Sequence, residues 1–116
     1  PTPTPTPTPT PGFAVTTDSE SVKFTTQDQG QGCGGIVTAT GNFRTNGVGG
    51  TVRYQWVRKD SSGTRTTAVA TIVVAAGDTA VHNVTTDQWT PQSGGTEQLV
   101  FLAPAAPAIA AQAWSC

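Results

Sequence analysis

The residues equipped for chemistry are few and widely spaced. The chain has one histidine, His82, and seven carboxylates: Asp18, Glu20, Asp28, Asp60, Asp78, Asp87 and Glu97. His82 sits in TAVHNVTT, where a general base would need an orienting acid such as Asp78 or Asp87 and a nucleophile within reach. No G-x-S-x-G or comparable nucleophile elbow is present, so His82 is expected at a surface or strand edge. The carboxylates are expected singly, in turns. A glycosidase pair needs two of them across a cleft, and so short a chain offers little cleft. Asp28, Asp60 and Asp78 lie in Gly- or Ser-rich stretches, yet the D-x-D-x-D-G spacing of a calcium loop is missing. The sequence therefore predicts no catalytic residue, no cofactor and no metal site.

The cysteines, Cys33 and Cys116, stand 83 residues apart. There is no C-x-x-C spacing and no histidine near either, which disfavours zinc. Two free thiols are the alternative in a reducing compartment, and a disulfide the expectation outside the cell. The opening of the chain favours the outside. PTPTPTPTPTPG alternates proline with threonine from Pro1 to Pro11. Proline fixes φ and bars the preceding threonine from the α region. A semi-rigid polyproline II spacer at about 3.1 Å per residue is the natural conformation. Thr2, Thr4, Thr6, Thr8 and Thr10 make it a candidate O-glycosylated stalk. The division expected is a linker over 1–12 and one folded domain over 13–116. With no initiating methionine and no signal peptide, the sequence reads as a fragment or as the C-terminal module of something longer.

Composition narrows the partners. Charged residues make up 11% of the 116 residues, less than half the ~25% usual in globular domains, and net charge is −1. Nothing here steers toward nucleic acid. No apolar run approaches the ~18 residues of a membrane-spanning helix, so a membrane-embedded chain is not expected. Arg53, Arg58, Lys59 and Arg65 surround one hairpin and are expected on a solvated face. Asn83-Val84-Thr85 matches the N-glycosylation sequon, a triplet common by chance.

The elements that must position these residues all read as strands. Phe13 to Thr17 and Ser21 to Thr26 are short β-rich pieces separated by the polar Asp18-Ser19-Glu20. Glycines from Gly30 to Gly35 then punctuate the chain. In Ile36 to Arg44, Val37, Ala39 and Phe43 share one parity and define a buried face. TNGVGG forms a turn. Thr51 to Lys59 alternates, with Val52, Tyr54 and Trp56 on one side. Strands over Thr66 to Ala75, Thr79 to Trp89, Thr96 to Ala103 and Ala108 to Cys116 complete the pattern. The predicted core contains Val37, Phe43, Val52, Tyr54 and Trp56. About seven strands with closely spaced turns describe an all-β, immunoglobulin-like sandwich behind an extended tail.

Three stretches carry a family resemblance: CGGIVTATGNFRTNGVGGTVRYQWVRKDSSG, AAGDTAVHNVTTDQW and EQLVFLAPAAPAIAAQAWSC. Together they resemble a bacterial extracellular immunoglobulin-like module, of the kind found in actinobacterial and Chloroflexi-type proteins behind Pro/Thr-rich linkers. The resemblance runs from Cys33 to Cys116 and rests on structural residues. It implies a bridge from the start of one strand to the end of the last, here Cys33 to Cys116. It also implies a secreted or cell-surface location. Gln112 and Trp114 stand where the last strand of such modules usually shows Phe and Val. Trp56 follows Cys33 at a longer spacing than the corresponding tryptophan of antibody domains.

The functional expectation is a non-enzymatic module on a Pro-Thr stalk. It would serve cell-surface interaction, adhesion or spacing, with a protein or cell-surface glycan as partner and self-assembly through sheet edges. A carbohydrate-binding module of a secreted hydrolase is the alternative, with Trp89 and Trp114 stacking on sugar rings. A subunit of an extracellular fibre is a further alternative.

Overall fold

A computed structural model describes residues 12–27 and 33–116. The Pro-Thr tract from Pro1 to Pro11, with its threonines, and Asp28 lie outside the described residues, while Gly12, the last residue of the expected linker, accepts from Asn46 Nδ2 at 2.7 Å. The described chain forms nine strands: β1 (Val15–Thr26), β2 (Gly35–Thr45), β3 (Gly50–Asp60), β4 (Gly63–Thr66), β5 (Ala70–Val74), β6 (His82–Asn83), β7 (Asp87–Trp89), β8 (Gly95–Ala103) and β9 (Gln112–Trp114). They make two antiparallel sheets. In the first, β2 pairs with β1 on one side and with β6 and β7 on the other. In the second, β3 is flanked by β4 and β5 on one side and β8 on the other, and β9 extends the sheet beyond β8. No helix among the described residues is long and apolar enough to cross a membrane.

Period-two alternation builds the core. Val37, Ala39 and Phe43 of β2 are fully buried, and Val52, Tyr54 and Trp56 of β3 are at most 3% exposed. Val15, Val74, Val84 and Leu99 complete the apolar layer between the sheets. Glycine is required where TNGVGG turns, since Gly47 and Gly49 adopt φ of 81° and 91°, a region L-residues with a Cβ rarely enter.

The elements depart from the sequence pattern in four ways, each with a physical reason. The two pieces expected around Asp18-Ser19-Glu20 form one strand, β1, with an irregularity between Val15 and Thr17. An extra residue there shifts the parity, so Asp18 and Glu20 turn inward rather than interrupting the strand. Thr66 to Ala75 is split into β4 and β5. The pairing moves from Val57↔Thr66 to Tyr54↔Ala70, a one-residue bulge, and Thr67 N–H still donates to Trp56 C=O at 2.9 Å.

Thr79 to Trp89 is likewise interrupted between β6 and β7. The Thr85 N–H donates to the Tyr54 hydroxyl at 2.8 Å, and the Thr85 C=O accepts from Trp56 Nε1 at 3.0 Å. Thr85 thus satisfies the polar tips of two buried aromatics, which would otherwise be orphaned. Its backbone leaves the β2 ladder to do so. Finally, only residues 112–114 of the last stretch are strand. Gln98 Nε2 donates to Ile109 C=O at 2.6 Å and Val15 N–H to Ala105 C=O at 2.9 Å, so isolated bonds tie down 104–111 in place of a ladder.

Candidate functional site

Cys33 and Cys116 are disulfide-bonded, with Cα atoms 5.7 Å apart. The bridge joins the approach to β2 in the first sheet to the residues just after β9 in the second. Cys33 N–H is anchored on Pro91 C=O at 3.1 Å. Trp89 of β7 and Trp114 of β9 also meet across the two sheets. Their ring centroids are 5.2 Å apart and their planes 89° apart, an edge-to-face contact. Trp114 is buried and donates its indole N–H to Ser93 C=O at 3.2 Å. Trp89 is half-buried, and its open side lines a 150 Å³ dent with Ile36, Gln88 and Thr90. Sugar stacking calls for coplanar exposed rings; these two are perpendicular and packed on each other.

The tryptophans border a charged cluster that the sequence pattern did not bring together. The expectation of single carboxylates in turns is incorrect for Asp87, Glu97 and Glu20, all of which lie in strands and are buried. Arg58 of β3 reaches across to Asp87 of β7 with two donors, Nε to Oδ2 at 2.8 Å and Nη2 to Oδ1. Its guanidinium also lies over the Trp89 ring, 5.2 Å from the centroid, a cation–π arrangement. Arg58 is therefore not on a solvated face: its side chain is 26% exposed. Trp89 Nε1 donates to Glu97 Oε1 at 2.7 Å. Arg58 and Glu97 are themselves partners in the β3–β8 pairing.

Glu97 is fully buried, and its Oε2 has no partner among the described residues when both acids are ionised. Protonation resolves this. Burial, followed by its hydrogen bond to the neighbouring Asp87 carboxylate, pushes the Glu97 carboxyl up to about 9. Burial also works against the Asp87 charge, but hydrogen bonds from Arg58 and Glu97 outweigh it and hold Asp87 below its ordinary value. At neutral pH the unit is Arg58⁺, Asp87⁻ and a neutral Glu97, so one cation balances one anion. Paired acids with separated proton affinities can serve catalysis; here Asp87 is held by Arg58, and Glu97 accepts from the Trp89 indole.

Glu20 forms a second, isolated acid. It is 9% exposed and pushed up to about 7 by burial, offset in part by Leu99 N–H. Gln112 clamps the backbone beside it, accepting from Val22 N–H at 3.2 Å and donating to Glu20 C=O at 2.7 Å.

His82 lies on β6, half-buried against Phe43 with ring centroids 5.5 Å apart. Its Nε2 is 2.9 Å from Asp78 Oδ2, so one of the two acids named from sequence does reach it. The ring and the carboxylate together tie the turn after β5 to β6. A 200 Å³ cavity opens between the β4–β5 edge and residues 85–87, lined by Tyr54, Trp56, Thr67, Ala70, Thr85 and Asp87. The Tyr54 hydroxyl, the Trp56 indole and the Asp87 carboxylate in its wall are all spent on internal hydrogen bonds. No group of three or more His, Cys, Asp or Glu side chains suited to a metal occurs among the described residues.

Comparison with known protein families, with curated proteins and with solved structures finds no match to this chain.

Proposed function

We propose that the chain is a non-enzymatic, immunoglobulin-like extracellular module carried on its Pro-Thr stalk, acting in cell-surface interaction, adhesion or spacing. The observation that carries this reading is the closure of the Arg58–Asp87–Glu97–Trp89–Trp114 cluster. The side chains best suited to chemistry or sugar stacking are consumed in joining one sheet to the other. Strand order supports the immunoglobulin-like assignment: β1, β2 and β6–β7 occupy one sheet, and β4–β5, β3, β8 and β9 the other, as in sandwiches of that class. The inter-sheet disulfide supports an oxidising, extracellular location.

The spacer role is tested by tethering the chain to a bead at its N-terminus and measuring antibody access to the domain. Removing residues 1–12 should reduce access. Replacing Thr2, Thr4, Thr6, Thr8 and Thr10 by serine should leave it unchanged. Equal access with and without the tract would contradict a spacer. The half-exposed flank of Trp89 favours the second reading, a carbohydrate-binding module, and retention of wild type and Trp89→Ala on polysaccharide separates the two.

A further inference from the structure

The sheet edges are unequally protected. The outer edge of β1 is bridged at Ala14↔Ala105 and capped by the Gln112 amide at Glu20 and Val22. β6, β7 and β9 are two or three residues long. β4 carries Arg65 and ends in the bulge at residues 67–69. Charge, bulges, shortness and covering are the usual devices that stop a sheet edge from pairing. β5, five residues long, is regular from Ala70 to Val74, carries no charge, and has no covering segment among the described residues. From Thr66 to Gly77 the chain bears no charge and no proline, and Val73 is 78% exposed. Val69 directly precedes β5 and is 42% exposed. Val48, also exposed, follows Gly47, whose C=O accepts from Gly77 N–H just beyond the C-terminal end of β5.

The hydrogen-bonding parity of this edge follows from β3. Trp56 N–H and C=O both point to Thr67, toward the β4–β5 side. Alternate residues share that direction, so Val52 and Tyr54 bond to Ile72 and Ala70, their partners in the register. Thr71 and Val73 therefore direct their backbone N–H and C=O groups away from β3, to the open edge.

We infer that β5 pairs with β5 of a second copy of this chain, antiparallel about a two-fold axis at Ile72, joining two five-stranded sheets into one. In that register Thr71 and Val73 of one copy exchange hydrogen bonds with Val73 and Thr71 of the other. The five residues of each strand overlap fully, and Val73 is covered by its cross-strand neighbour. The occupant is a second copy because this edge is its own complement under the operation: the overlapping run from Thr66 to Gly77 bears no charge, so no like charges oppose each other along the paired strands. An isologous contact closes on itself, so the product is a dimer rather than a fibre. The inference rests on edge geometry and is independent of what the module recognises.

The test is the mass of the full chain by light scattering across a concentration series. The wild type should approach twice the 11.9 kDa chain mass. Val73→Pro removes only an edge-facing N–H, a site where an edge strand tolerates proline, and should remain monomeric with an unchanged far-ultraviolet spectrum. Val73→Lys should do the same, and carries the test if the proline variant does not fold. Leu102→Lys, at an exposed apolar residue of β8, should dimerise like wild type. A wild type that stays monomeric throughout would overturn the inference. So would self-association that survives Val73→Lys or is abolished by Leu102→Lys.

Discussion

Trp89 and Glu97 belong to different sheets and are joined by an indole N–H donated to a carboxyl oxygen at 2.7 Å. That bond couples an aromatic end-seal to a buried acid, and through Asp87 to Arg58. Each member explains another: Arg58 is held in by Asp87, Asp87 keeps its charge because of Arg58, and Glu97 stays neutral because it is buried beside the Asp87 carboxylate.

The protonation of Glu97 sets a pH dependence. Its folded value of about 9 lies above the ordinary 4.5, so the folded state holds a proton the unfolded chain releases. Stability should fall as pH rises from about 4.5 toward 9 and then level off. Glu20, at about 7 when folded, adds to the loss between 4.5 and 7. Asp87 is depressed, so its contribution disappears as pH drops below the ordinary carboxylate range. Denaturant unfolding as a function of pH should therefore show maximum stability on the mildly acidic side. Glu97→Gln keeps an acceptor for Trp89 and a donor for Asp87, and should flatten the decline above pH 7.

Removing Asp87's charge strands Arg58. Breaking a buried ion pair costs about 3–5 kcal/mol. Arg58 is a quarter exposed, which should place Asp87→Asn nearer 2–3 kcal/mol. Chemical denaturation at neutral pH measures it. A change below about 0.5 kcal/mol, the scale of an ordinary surface substitution, would show that the pair is not structural.

Trp56 fills the centre of the core and anchors Thr85. Trp56→Ala should cost roughly 3–5 kcal/mol and unfold much of the population at ambient temperature. Loss of the native near-ultraviolet spectrum is the readout, and a variant that unfolds like wild type would contradict the core assignment.

The Cys33–Cys116 bridge closes most of the folded chain. By the chain-entropy argument it contributes on the order of 4 kcal/mol, so Cys33→Ser should lower the denaturation midpoint markedly. Mass spectrometry of the native protein should find no alkylatable thiol. Two free thiols would remove this contribution and the argument for an oxidising location.

The strands that face a single core were legible in the sequence. In β2 and β3 strict alternation placed Val37, Phe43, Val52, Tyr54 and Trp56 on one side, where the structure buries them. The same parity carries a further signal: 52, 54 and 56 continue to Arg58, and Glu97 shares parity with Leu99. Both point inward, and a charged residue at an inward position predicts a partner. That partner, Asp87, was not legible, because its placement depends on Thr85 leaving the ladder for two aromatic side chains from another sheet. Glu20 was obscured by the irregularity at Val15/Thr17, which moves three polar residues from an apparent break into the middle of a strand. The open edge of β5 could be read as an uncharged run, but not as an edge until β3 had been given its neighbours.

The central claim is that Trp89 closes the sandwich rather than binding a ligand, and one variant tests it with two readouts. Trp89→Ala should lose roughly 2–3 kcal/mol of stability, less than a fully buried tryptophan would. Wild type and variant alike should pass unretained over cellulose, chitin and xylan. Wild-type retention on any of these, abolished in a Trp89→Ala protein of undiminished stability, would contradict the account and make the domain a carbohydrate-binding module.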